Sequence, residues 1–121
     1  MSNEEDISAI DAIAVNPRNG FVERAIIDDK EWEDYDRHMT WLLDKLNAYI
    51  GFVFSGQINE HPAYAGRPIK FAIHFKEPPP RAARLTLLRM RDHLGAQQVA
   101  FAVTETGVIT EEVDIESWAK S

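Results

Sequence analysis

The 121-residue chain has no cysteine. That single absence excludes disulfides, thiol nucleophiles, zinc–thiolate sites and iron–sulfur clusters. No apolar run approaches the roughly 18–20 residues of a membrane-spanning helix. Neither GxGxxG nor GxxxxGK[ST] occurs, so no glycine-rich loop is available to cradle a phosphate. Gly51-Phe52-Val53-Phe54-Ser55-Gly56 has the wrong spacing for the strained turn GxSxG that carries a nucleophilic serine. The four histidines, His38, His61, His74 and His93, are widely separated and none belongs to an HExxH motif. No cofactor and no metal is expected. The opening Met1-Ser2-Asn3-Glu4-Glu5-Asp6 is acidic where a targeting leader would be basic, so the expectation is a cytoplasmic protein.

Hydrophobic residues make up 45% of the chain. A domain of this length buries roughly two-thirds of its unfolded surface and needs no staple. The formal charge is −7, but its distribution is uneven. Residues 1–36 carry eleven acids and three bases, residues 37–104 nine bases and four acids, and residues 105–121 five acids and one base. Acidic ends therefore flank a basic middle. Either the fold lays one against the other, or the middle forms a basic face. The net acidity disfavours nucleic acid as a partner, because that affinity comes from neutralising phosphates.

The hydrophobic pattern divides the chain into elements. Ile10 to Val15 reads as a short strand, and Pro17-Arg18-Asn19-Gly20 as the turn of a hairpin. Phe21 to Asp28 returns, with Arg24 between Val22 and Ile26 on one face. Asp28 is placed to cap a long helix, with Glu31 completing a capping box. Tyr35, Met39, Leu42, Leu46, Tyr49 and Val53 then recur at helical spacing, widened by Leu43 and Ile50. Gly51 weakens this helix locally, and Gly56 is its stop. Gln57 to Pro68 is a polar loop, long enough to be a functional candidate. Ile69, Phe71, Ile73 and Phe75 alternate as a half-buried strand. After Pro78-Pro79-Pro80, a second helix runs from Arg81 to Leu94, with Gly95 as its stop. Val99 to Thr104 is a further strand, and Val108 to Thr110 a last short one. The order ββαβαβ predicts an α+β fold: a two-layer α/β sandwich, its mixed sheet carrying two helices on one face. The expected organisation is a disordered acidic N-terminus at 1–6, one α/β domain at 7–110 and an acidic tail at 111–121.

The run His38-Met39-Thr40-Trp41-Leu42-Leu43-Asp44-Lys45-Leu46-Asn47-Ala48-Tyr49-Ile50, followed by Phe52 and Ser55-Gly56-Gln57-Ile58, resembles a family of small bacterial proteins of unknown function. Asp28, Glu31, Trp32, Gly66, Arg67 and Ile69 extend the resemblance, which spans roughly residues 10–104. The chain departs from the family pattern at Glu23 and Arg24, where apolar residues are usual. The resemblance implies a small bacterial α/β domain and carries no activity with it.

Candidate binding residues come from the flank of the first helix. His38 and Lys45 fall to one side of its apolar stripe, with Tyr49 bordering them and Trp41 just beyond. Asp34 and His38 stand four residues apart on that helix and can face each other. The loop that begins at Gln57 and ends at Arg67 is placed to close over the same flank. The ligand- or partner-binding candidates are thus His38, Lys45, Tyr49, Gln57 and Arg67, with no catalytic residue assigned. They fit a non-catalytic accessory domain that binds a protein partner or a second copy of itself as a homodimer. The alternative is a small anionic-ligand-binding or enzymatic domain, in which Arg67 binds the anion and His38 transfers protons. In either case His38 and Lys45 are expected at the margin of the helix, exposed to a partner.

Overall fold

The computed structural model describes residues 12–105 and 112–120. Its strands are β1 (Ala12–Val15), β2 (Val22–Asp28), β3 (Ile69–Phe75) and β4 (Ala100–Glu105). Its helices are α1 (Tyr35–Phe54), α2 (Arg81–Ala96) and α3 (Ile115–Lys120). The expectations for residues 1–6, for Ile10 and for Val108 to Thr110 fall outside the described residues.

The strands lie in the order β1-β2-β3-β4, antiparallel at β1–β2 and parallel at β2–β3 and β3–β4. The hairpin turn is held locally. Asn16 Oδ1 accepts from Arg18 N at 2.8 Å and Asn19 Oδ1 from Phe21 N at 2.9 Å, while Gly20 takes φ +76°. Both parallel crossovers step the same way across the sheet, so the right-handed rule puts α1 and α2 on one face. The burial agrees. Ile69, Phe71, Ile73 and Phe75 share a single core with Met39, Leu42 and Leu46 of α1 and Ala83, Leu87, Leu88 and Leu94 of α2. This is the expected α+β architecture with its mixed sheet.

In parallel register, partnered residues point to the same side of the sheet. Arg24 pairs with Phe71 and Asp28 with Phe75, so both polar residues project from β2 toward the helices. Glu23 projects the other way and accepts from Asn16 Nδ2 at 2.9 Å.

Three details of the expected elements are corrected. Asp28 does not cap α1. It ends β2, where its carbonyl still accepts from Lys76 N at 2.8 Å. The helix begins seven residues later, and the cap is Asp34, whose side chain accepts from Arg37 N at 3.2 Å. Second, the buried arc of α1 is His38, Met39, Leu42, Lys45 and Leu46. The helix is thus turned so that Leu43 and Ile50 are only half-buried, and the two expected margin residues lie inside. Third, Gly95 does not stop α2. The helix runs to Ala96, and Gln98 takes the left-handed position at φ +65°. Val99 N reaches Leu94 O and Gln98 N reaches Gly95 O, both at 2.9 Å, the paired bonds of a Schellman closure. Gly56, at φ +85°, does end α1 as expected.

The acidic C-terminal segment folds back as α3. Ile115 and Ala119 are buried in the same core, and the Trp118 ring stacks on Phe75 with centroids 6.3 Å apart. Trp118 Nε1 donates to Glu105 Oε2 at 2.7 Å.

Candidate functional site

The most enclosed polar group joins the end of β2 to the start of α1. Asp28 is fully buried and His38 is 4% exposed. His38 Nε2 lies 2.6 Å from Asp28 Oδ2, and His38 Nδ1 lies 3.1 Å from the carbonyl oxygen of Glu31. Both ring nitrogens are therefore engaged within the protein. Trp32 covers one face of the imidazole at 3.5 Å, nearly parallel, and Trp41 meets it edge-on. Trp32 is itself pinned by Nε1 donating to Glu77 O at 3.2 Å. Neither imidazole nitrogen is left to take a proton from a substrate. The chemistry of this cluster is that of a latch between two elements. His38 thus faces Asp28 across the fold rather than Asp34 along its helix.

Lys45 is 3% exposed, and its Nζ lies 5.0 Å from the centroid of Trp41. Lys30 Nζ approaches the same ring at 4.9 Å. Beside the latch, Lys30, Glu31, Glu33, Asp34, Arg37 and Trp41, with the small exposed part of His38, border an open depression of about 490 Å³. There the Glu31 carboxylate, hydrogen-bonded to Glu33 and repelling it, holds the Glu33 carboxyl above the usual range. The opposed charges around this depression give it no single electrostatic preference.

The other three candidates lie toward the far end of α1, a helix about 30 Å long. Arg67 is pinned: its Nε donates to Ala63 O at 2.9 Å and its Nη1 to Gly20 O at 3.4 Å. It braces the loop against the hairpin turn. The loop is braced again by Asn59 Oδ1 accepting from Gly66 N, and by the buried Ile58 of a short 3-10 turn, Gln57–Glu60. Tyr49 and Gln57, by contrast, line one groove of about 540 Å³ together with Arg24, Ala48, Gly51, Phe52 and Ser55. The Arg24 guanidinium lies over the Tyr49 ring, 3.9 Å from its centroid. Ser55 Oγ donates to Phe52 O and accepts from Gln57 N, so it sets the helix end and is no activated nucleophile.

The structure therefore splits the five candidates. His38 and Lys45 are interior, Arg67 is a loop brace, and Tyr49 and Gln57 share a groove. Sequence reasoning missed Arg24 as a groove residue. Its signal was present as a lone charge between two core residues of a strand. Among the described residues no cluster of three or more histidines and carboxylates is placed to hold a metal ion, and no helix is long and apolar enough to cross a membrane. No curated protein and no solved structure matches this chain. A family model does match, over residues 1–107, nearly the whole of the sequence. The chain belongs to that family, a family of unknown function designated DUF6572.

Proposed function

We propose that this protein is a non-catalytic binding domain that recognises a protein partner with the C-terminal end of α1. The observation that carries this reading is the groove in which Tyr49 and Gln57 meet Arg24 beside Phe52. Tyrosine, phenylalanine and arginine gathered around a shallow groove are the residue types that dominate protein recognition energetics. Phe54 adds to them. It is 48% exposed, large for an apolar ring, and stands three residues from Gly51 on the adjoining helix face. The non-catalytic half of the reading is supported by the latch, whose imidazole has both nitrogens engaged.

Affinity capture followed by mass spectrometry tests it. The full chain is expected to retain a stoichiometric protein partner. Phe54→Ala, at an exposed position, is expected to weaken retention at least about tenfold, as loss of an interface anchor does. Arg89→Ala, on the exposed face of α2, is expected to leave retention unchanged. No stoichiometric partner, or equal retention by all three proteins, overturns the reading.

A further inference from the structure

Arg24 occupies a place where its charge needs an explanation. It projects from β2 toward the helix layer, between Val22 and Ile26, which are 1% and 0% exposed. Desolvating a guanidinium there is costly unless its donors are served. The other two half-buried arginines among the described residues have terminal nitrogens that are served: Arg84 Nη1 donates to Pro79 O, although its Nε, like that of Arg24, is buried without a partner, and Arg91 engages both Asp92 and Glu116. The Arg24 side chain makes no hydrogen bond and no ion pair among the described residues. Its contact is the stack on Tyr49, and its Nε is buried without a partner.

We infer that Arg24 is the anchor of a carboxylate site in the α1 groove, taking the side chain of an aspartate or glutamate presented by the protein partner. The inference rests on the proposed binding surface and adds the chemistry of what enters it. The buried Nε is out of a ligand's reach, so the bond falls to the two terminal nitrogens, which match the two oxygens of a carboxylate. Tyr49 holds the guanidinium flat and limits the freedom lost on binding. The Gln57 side chain adds a neutral amide to the lining. Arg24 is the sole cation among the groove residues, so the site balances one negative charge. A phosphate monoester carries close to two, and the protein's own net charge of −7 repels a polyanion further.

The full chain, isotopically labelled, is titrated with sodium acetate and separately with inorganic phosphate at matched ionic strength, and followed by NMR. Acetate is expected to give saturable shifts at the Tyr49 and Gln57 amides, with a Kd on the order of tens of millimolar, as one charge-assisted pair provides. Arg24→Gln is expected to abolish saturation. Arg24→Lys, which keeps charge but loses the fork, is expected to bind acetate between the two. Absence of saturation in the natural sequence, or saturation undiminished in Arg24→Gln, overturns the site. Phosphate binding tenfold tighter than acetate overturns the ligand class. In the capture experiment, partner retention is expected to fall at least tenfold in Arg24→Gln. Retention kept by Arg24→Gln but lost by Phe54→Ala overturns the carboxylate anchor while leaving the binding surface standing.

Discussion

Asp28 and His38 are ten residues apart in sequence and come from different elements, yet their side chains meet at 2.6 Å. Both are removed from water, so removal of either leaves a buried polar atom of the other without its partner. Asp28→Ala is expected to cost about 1–3 kcal/mol in urea unfolding, and His38→Ala a similar amount. The two losses are not expected to add. In the double variant neither group remains buried without its partner, so the combined cost should fall well short of the sum. Additive losses would mean that the 2.6 Å contact carries no coupling. Trp32 completes the latch by excluding water from the imidazole face. A helix wheel counts His38 as polar and sets it outside, because the wheel knows nothing of a carboxylate arriving from β2. The burial of His38 was therefore not legible from periodicity, although the identity of the helix was.

At the scale of elements, the middle of α1 holds a glycine where none is needed, and the C-terminal end of α2 lacks one where the backbone favours it. Gly51 lies inside α1, and a Cβ built there meets nothing within 4 Å. Gly51→Ala is expected to raise stability by roughly 0.5–1 kcal/mol through helix propensity alone. At the end of α2 the reverse holds. Gln98 sits at φ +65°, where a side chain strains the backbone and glycine does not. Gln98→Gly is expected to gain about 1 kcal/mol. The sites are on different helices with no shared partner, so thermal or urea unfolding of the double variant should show additive gains. A loss at Gly51 would mean that the groove it lines tolerates no methyl group. These elements also show where sequence reading succeeds. β3 alternates with a strict period of two, and one face of it is the core, so its register was legible from Ile69 to Phe75. The start of α1 was not. Asp28, Asp29, Asp34 and Asp36 all resemble caps, and the choice among them is made by the sheet, which keeps Asp28 as its last rung. The end of α2 was misread for a related reason: Schellman geometry is set by backbone closure at Val99 and Leu94, and a glutamine can be forced to serve it. Of the groove residues, Tyr49 was singled out as bordering the helix flank and Gln57 as the start of the loop beside it, whereas Arg24 required the β2–β3 register to place it on the helix side.

At the scale of the molecule, the uneven charge becomes a packing arrangement. The basic middle meets the acidic C-terminal segment: Lys70 pairs with Glu112, Arg91 with Glu116 at 2.8 Å, and Lys120 adds a second contact to Glu116 at 3.1 Å. Of these, Arg91–Glu116 joins the outer side of α3 to α2 and Lys70–Glu112 holds the segment leading into it, while Ile115, Ala119 and Trp118 fasten its inner side. Hydrogen bonds from Arg91, then from Lys120, hold the Glu116 carboxyl below the usual carboxylate range. A folded-state pKa that is depressed makes its contribution at pH values above the group's unfolded pKa. That contribution is lost as pH falls through the folded pKa. The pair is exposed, so the effect is small and screened by salt. Glu116→Gln removes it at every pH. Thermal unfolding of the natural sequence and of Glu116→Gln is therefore expected to differ at pH 7 and to converge as the solution is acidified below the ordinary carboxylate range. The Trp118 indole resonance reports the same change locally, because Trp118 is held between Phe75 and Glu105. It should respond to acid in the natural sequence more than in the variant. A stability difference that stays constant down to pH 3 would show that Glu116 holds α3 by packing, and that charge plays no part in closing the fold.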